Sequence, residues 1–358
     1  MTDTRALKSI CILRLSAIGD VTHVVPVILS LQEQVPEARI TWIIGRAEAK
    51  LVGDLPGVEF IIFDKKAGLA GYRQLYRQLK GRHFDVLLHM QVALRANLAA
   101  ALVSARIKVG YDRARSKDLH SLFINRRIAA TPRQHVRDCL ASFLEPLGLN
   151  PAPARWQLPV SDADRDWALQ HLAMDRPNII ISPYASHPLR NWLPERYAAL
   201  ADHAIRTHDA HVVLVGSPAP AEADFIRTIE AHMAETPLNL VGQDSLKQLA
   251  AILEAADLVV SPDTGPAHIA NAMGTDVLGL YAGSNPLRTG PFNSLRWCVN
   301  RYPQTLAHFT GKTPETTPWG VKAEFEGAMG LIEMGDATRM LDRWMTERCQ
   351  SSAYARFS

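Results

Sequence analysis

Apolar and polar positions alternate along this chain on two scales. Short apolar runs end in turns bearing glycine, proline or aspartate, and each turn opens a segment in which apolar residues return every three or four positions. Residues 9–15 (SICILRL) lead through Ser16-Ala-Ile-Gly-Asp20 into the apolar segment 21–31, which predicts strand, turn and helix. Residues 39–44, 59–63 and 84–89 read as further strands, with a helix over 72–80.

The pattern breaks at the proline-rich stretch 150–154 and the polar stretch 161–165, which read as a linker, and then resumes. Strands are expected at 178–183, 210–216, 238–241, 257–261 and 276–281, with helices at 195–208, 221–233, 245–256 and 267–273. Strands alternating with helices imply an α/β chain with a parallel, doubly wound sheet in each half. Such sheets bind ligands outside the carboxyl ends of their strands, so every strand-to-helix loop becomes a candidate site. The expected division is 1–155, 170–324 and a helical tail over 325–358.

Length and composition agree: 358 residues, 47% of them hydrophobic and 21% charged, suffice for two ordinary cores. No apolar run reaches the roughly 18 residues of a membrane span, and residues 1–8 lack the apolar stretch of a signal peptide. A cytoplasmic chain is therefore expected. Cys11, Cys139, Cys298 and Cys349 are scattered without metal or disulfide spacing and read as buried reduced thiols. The net charge of +3 hides an asymmetry: residues 1–150 carry 22 Lys and Arg against 13 Asp and Glu, and residues 151–358 carry 17 against 23. The basic half suits an anionic partner, although a solvated face gives the same count.

The most informative segment is 259–274, VVSPDTGPAHIANAMG, in which a buried strand runs into Asp263, Thr264 and Gly265 and then a helix of small residues. The start of that helix offers backbone N–H groups and a positive dipole end to a diphosphate, with His268 one turn inside. On spacing alone Asp263 or Thr264 is equally a helix cap and His268 a core-edge histidine. Asp20 is either a carboxylate capping the helix from Val21 or a general base. Glu222, after a strand of the second half, is either a ribose ligand or a first-turn helix carboxylate.

Residues 263–272, Asp-Thr-Gly-x-x-His-x-Ala-x-Ala, resemble the signature of glycosyltransferase family 9, the heptosyltransferases. Residues 13–23, LRLSAIGDVTH, resemble that family's N-terminal pattern ending in Gly-Asp, and residues 182–194, SPYASHPLRNWLP, its loop with a basic residue ahead of a Trp-Pro pair. Here the basic residue is Arg190 rather than the family's lysine, and Leu193 separates Trp192 from Pro194. Arginine keeps a permanent charge and grips phosphate bidentately, so a diphosphate role survives the change.

The resemblance implies a metal-independent enzyme of the GT-B type, with two Rossmann-like domains facing a central cleft and the tail crossing back onto the N-terminal domain. It implies inverting transfer of heptose from ADP-L-glycero-D-manno-heptose to the Kdo-bearing inner core of lipopolysaccharide. Asp20 and Arg190 are then catalytic, as base and as leaving-group partner. Gly19, Ser182, Glu222, Asp263, Thr264, Gly265 and His268 hold the donor, and Lys65, Lys66, Arg113, Arg115, Lys117 and Arg133 meet the acceptor. The acceptor's lipid implies transient association with the cytoplasmic face of the inner membrane, and no cofactor or nucleic acid is expected. Another nucleotide sugar, or nucleotide-sugar binding without turnover, remains an alternative.

Other patterns are set aside. Gly311-Lys-Thr313 lacks the earlier glycine and the context of a P-loop, and no GxGxxG follows a strand. His203, His208 and His211 have no carboxylate at ligand spacing, so no metal is expected there. Asp162-Ala-Asp164 falls in the expected linker and reads as solvated acid.

Overall fold

A computed structural model describes residues 7–355, with side chains through residue 349. The chain forms two compact units, Met1–Pro159 and Val160–Ser358.

The first unit holds the parallel strands β1 (Ser9–Leu13), β2 (Arg39–Gly45), β3 (Val58–Phe63), β4 (Phe84–His89), β5 (Ala105–Gly110) and β6 (Arg126–Arg127), in the order β3-β2-β1-β4-β5-β6. The central strands β1 and β4 are almost wholly apolar because helices cover both their faces, and Ile10, Cys11, Ile12 and Leu13 are fully buried. The second unit holds β7 (Asn178–Ile181), β8 (His211–Leu214), β9 (Leu238–Asn239), β10 (Leu258–Pro262), β11 (Asp276–Tyr281) and β12 (Val299–Asn300), also parallel, in the order β12-β11-β10-β7-β8-β9. Counted within each unit, both sheets run 3-2-1-4-5-6, the doubly wound dinucleotide-fold order. The order reverses between β1 and β4 in one sheet and between β7 and β10 in the other. Those two switch points are where each sheet can seat a ligand.

Three expectations need correction. The apolar segment 21–31 is not one helix but Ile18–Thr22 followed by Val25–Gln34, because Pro26 cannot donate a backbone N–H and instead opens the second helix. The stretch 161–165 is no linker: the Ser161 side chain accepts from the Asp164 N–H and caps the helix Asp162–Leu169, with both aspartates in its favourable first turn. The tail belongs to the second unit. Its helix Met334–Ala355 packs on the helix Pro194–His208, β11 and β12, with Ala337, Leu341, Trp344 and Met345 in the second unit's core. The three- and four-residue spacing of that apolar stripe is satisfied there, and the Trp344 Nε1–H donates to Asp276 Oδ2 at 2.9 Å. Cys11, Cys139 and Cys298 are buried thiols as expected, but Cys349 is exposed on the tail helix.

Candidate functional site

At the first switch point the chain leaves β1 through Arg14, whose guanidinium is nearly buried. Its Nε donates to the Ser16 carbonyl (2.8 Å), its Nη1 to the Met90 carbonyl just beyond β4 (2.6 Å), and its Nη2 pairs with Asp20 Oδ2 (2.6 Å). Asp20 is N3 of the short helix Ile18–Thr22, and its Oδ2 also accepts from the Ala17 N–H at 3.0 Å. Asp20 thus caps the helix from Ile18 rather than one from Val21, and its side chain is still 39% exposed. Gly19, beside it, is buried, and its carbonyl accepts from the Thr22 hydroxyl.

Gln91 closes the same corner, accepting from the Leu15 N–H at 2.7 Å and donating to the Ser16 hydroxyl at 3.2 Å. Gly45, at the end of β2, donates to the Leu15 carbonyl, and a Cβ there would lie 2.4 Å from that oxygen. Only glycine allows the two chains this approach. Lys65 reaches the same carbonyl (3.4 Å) while paired to the buried Glu48 (2.7 Å).

Beneath the corner, His89 and His120 share Asn97. The Tyr111 N–H donates to His120 Nε2, so the proton sits on Nδ1 and is given to Asn97 Oδ1 at 3.0 Å. His89 Nε2 meets the same oxygen at 2.8 Å. Burial, with each other's or Arg127's charge, pushes His89 down to about 3 and His120 down to about 4, so both are neutral at pH 7.

At the second switch point β10 ends in Asp263 and the helix Gly265–Met273 begins. Thr264 is the N-cap by position, but its hydroxyl does not cap; it bonds Ser261 Oγ at 2.8 Å, and Ser261 in turn donates to the Ser182 carbonyl at the end of β7. The cap reading of Thr264 is thus not realised, and the first-turn amides of this helix have no side-chain cap. Arg190 lies between two carboxylates: its Nε pairs with Glu324 Oε1 (2.6 Å), and its Nη1 lies 3.6 Å from Asp263 Oδ2.

Asp263 is almost buried, which alone would raise its pKa. His268 (3.8 Å), Arg190 and Ser284 outweigh burial and hold it below the usual carboxylate range. Glu324 is likewise raised by burial but lowered further by Arg190, Lys322 (3.5 Å) and His187 (3.7 Å). Sequence reasoning missed Glu324, and nothing in its local sequence marks it: it lies 134 residues from Arg190 and is brought in by the segment that follows the helix Tyr302–Thr310.

Glu222 folds over the turn at Gly216, at the carboxyl end of β8, and bonds the Ser217 hydroxyl; burial raises its pKa. Asp244, also missed, is pushed up to about 6 by burial and then by the charge of Glu222. Of the expected acceptor residues, Lys66, Arg113, Lys117 and Arg133 are exposed. Arg115 is not available in the same way: it is tied to Asp112, Gln134 (2.8 Å) and the Ala129 carbonyl (2.8 Å), a structural clamp on its own loop. The expectation that the helix-end histidines lack a carboxylate also fails, because Asp342 of the tail helix meets both His203 and His208. Gly311 caps the helix Tyr302–Thr310 in the left-handed conformation, φ +66°, so Gly311-Lys-Thr313 follows a helix and not the strand of a P-loop.

Residues 72–316 match the profile of glycosyltransferase family 9 (heptosyltransferase). The lipopolysaccharide core heptosyltransferase OpsX of Haemophilus influenzae is 41% identical over 331 residues, which cover 92% of this chain and 95% of that one. A family 9 glycosyl transferase structure from Veillonella parvula superposes with a TM-score of 0.78 at 20% identity, covering 97% of this chain and 99% of that one. The E. coli ADP-heptose lipopolysaccharide heptosyltransferase II does so with 0.69 at 20% identity, covering 95% and 99%. With two Rossmann-like units of the GT-B kind, an arginine–carboxylate corner at each switch point and these matches, the chain belongs to glycosyltransferase family 9 and is a glycosyltransferase of the heptosyltransferase class.

Proposed function

We propose that this enzyme transfers L-glycero-D-manno-heptose from ADP-heptose, with inversion, to the Kdo-bearing inner core of lipopolysaccharide. The observation that carries the reading is Arg190, held between Glu324 and Asp263 beside the uncapped start of the helix Gly265–Met273. A fixed guanidinium and a helix N-terminus can together take up the charge of a departing diphosphate, which supports leaving-group stabilisation without a metal. Ser182, Thr264, Gly265 and His268 line the donor's phosphates in this reading, Asp263 orients Arg190 and His268 and contacts the heptose, and Glu222 accepts from the ribose hydroxyls.

Asp20, with Gly19 behind it, takes the proton of the attacking hydroxyl. Arg14 keeps it aimed. Inversion needs one such base, and one partly exposed carboxylate at the first switch point supplies it. The exposed cations Lys66, Arg113, Lys117 and Arg133, with Lys65 by the Leu15 carbonyl, suit the carboxylates and phosphates of the acceptor. Among the described residues no helix is long and apolar enough to cross a membrane, so the acceptor's lipid, rather than a span, would bring the protein to the cytoplasmic face of the inner membrane.

The test is to incubate the purified chain with ADP-heptose and Kdo–lipid A, and with ADP- and UDP-hexoses in parallel. Gain of one heptose by mass, with the anomeric configuration inverted by NMR, is expected. Turnover confined to another nucleotide sugar would replace the donor, and tight binding without any turnover would make the chain a binding protein.

A further inference from the structure

We propose that His203, His208 and Asp342 form a first-row divalent metal site, suited to zinc, that staples the tail helix Met334–Ala355 to the helix Pro194–His208. Both Nε2 atoms lie 2.7 Å from the same carboxylate oxygen, Asp342 Oδ1, and the three ligand atoms all fall within 4.8 Å of one another. Two imidazoles and a carboxylate are borderline donors that select zinc, cobalt, nickel or copper over magnesium or calcium.

At zinc–ligand distances of about 2.0–2.2 Å, tetrahedral ligand atoms stand roughly 3.4 Å apart, so each imidazole nitrogen must draw back from the shared oxygen by about 0.7 Å. The side chains can do this by small rotations, because all three are partly exposed, at 25%, 17% and 45%. That exposure also leaves the remaining coordination positions to water. The imidazole planes stand at 82°, so the two rings approach from different sides. The Thr207 hydroxyl lies 3.3 Å from His203 Nδ1 and can accept its proton, as an outer partner of a metal-bound imidazole does.

Without a metal, one oxygen serves two imidazole N–H groups; with it, both imidazoles are neutral ligands and one ion replaces two hydrogen bonds. Nearby cations do not oppose it: Arg206 is drawn to Glu235, Arg339 to Asp336 and Arg343 to Glu347. The site lies at the amino-terminal edge of its sheet, since His208 ends the helix that precedes β8 at His211. The Arg190–Asp263 corner is at the opposite, carboxyl-terminal edge. The metal is therefore structural, not catalytic.

The full-length protein, stripped with EDTA and dialysed, is titrated with ZnCl2 by calorimetry. One zinc per chain is expected, with Tm raised by about 5 °C at a hundredfold excess over Kd. Co2+ should give the visible absorption of a four- or five-coordinate ion. His203→Ala with His208→Ala should lower zinc affinity more than tenfold and remove the Tm response, and Cys349→Ser should change neither. Asp342→Asn, which preserves shape, gives the same reading if the double variant fails to fold. Zinc binding that survives these changes, or none in the wild type, overturns the site. Turnover lost in EDTA, restored by zinc and insensitive to these substitutions would place the metal elsewhere and overturn the structural assignment too.

Discussion

The two switch points share a topology and an arginine–carboxylate pair, yet they differ in how the guanidinium is held. In the first unit Arg14 is almost enclosed and gives its donors to two backbone carbonyls and one carboxylate, so the charge it can share falls on Asp20 alone. In the second, Arg190 is 20% exposed and is pinned by two carboxylates. The first arrangement polarises a carboxylate that faces solvent; the second presents a cation. In the proposed function, one sheet order thus serves proton abstraction or anion binding according to which partner of the pair the loops bury.

Asp20→Asn probes this contrast most severely. Loss of the base should lower kcat by roughly 10²–10⁴-fold with KM for the donor nearly unchanged, because the amide cannot take a proton. It can still accept from the Ala17 N–H, so the fold should lose only about 1–2 kcal/mol. Steady-state kinetics and a melting curve give both numbers, and near wild-type turnover would remove Asp20 from the chemistry.

Arg190→Ala should cost roughly 10²–10³-fold in kcat/KM, split between donor binding and rate, since an anion contact strengthens as charge develops on the leaving group. Arg190→Lys sharpens the point. Lysine keeps the charge but cannot bridge Glu324 and Asp263 as a planar fork does, so it should recover binding better than rate. Equal kinetics for wild type, Ala and Lys would mean that the cation of this corner takes no part.

The smallest effect separates the corners by pH. An imidazole whose pKa falls on folding binds fewer protons in the native than in the unfolded chain, so its stabilisation is complete above about pH 6.5 and is lost as the pH drops. His89 and His120 should therefore cost the first unit roughly 1.4 kcal/mol each per pH unit below that value. Asp263 and Glu324 have lowered pKa values, so the second corner should weaken only as the pH falls below the carboxylate range, near 4. Hydrogen exchange at pH 7 and pH 5 reports each unit; equal loss of protection in both at pH 5 would contradict this order.

The central strands were legible because burial on both faces leaves an unbroken apolar run, as in β1, β4, β7 and β10. β5 was not, since Arg106 and Lys108 interleave with the buried Ile107 and Val109 and dilute the run. β6 and β12 are two residues each, too short to carry a period. Asp162 and Asp164 were misplaced although Ser161-x-x-Asp164 is a helix-start signal, because the adjoining prolines suggested a linker. In the sites, motif residues such as Asp20, Asp263 and Arg190 could be named from sequence. Glu324, which pairs with Arg190, and Asp342, which meets His203 and His208, could not, because a long-range ion pair leaves no local pattern.

The enclosure of Arg14 also constrains how the chain can change. Its guanidinium joins the loop after β1 to the backbone beyond β4, so replacing it orphans two carbonyls as well as Asp20, while replacing Asp20 leaves a buried cation short of its counter-charge. Neither substitution leaves the corner intact. Among diverging relatives the two positions should be inherited as a linked pair, whereas position 190, where lysine still supplies the charge, should drift between the two basic residues on its own.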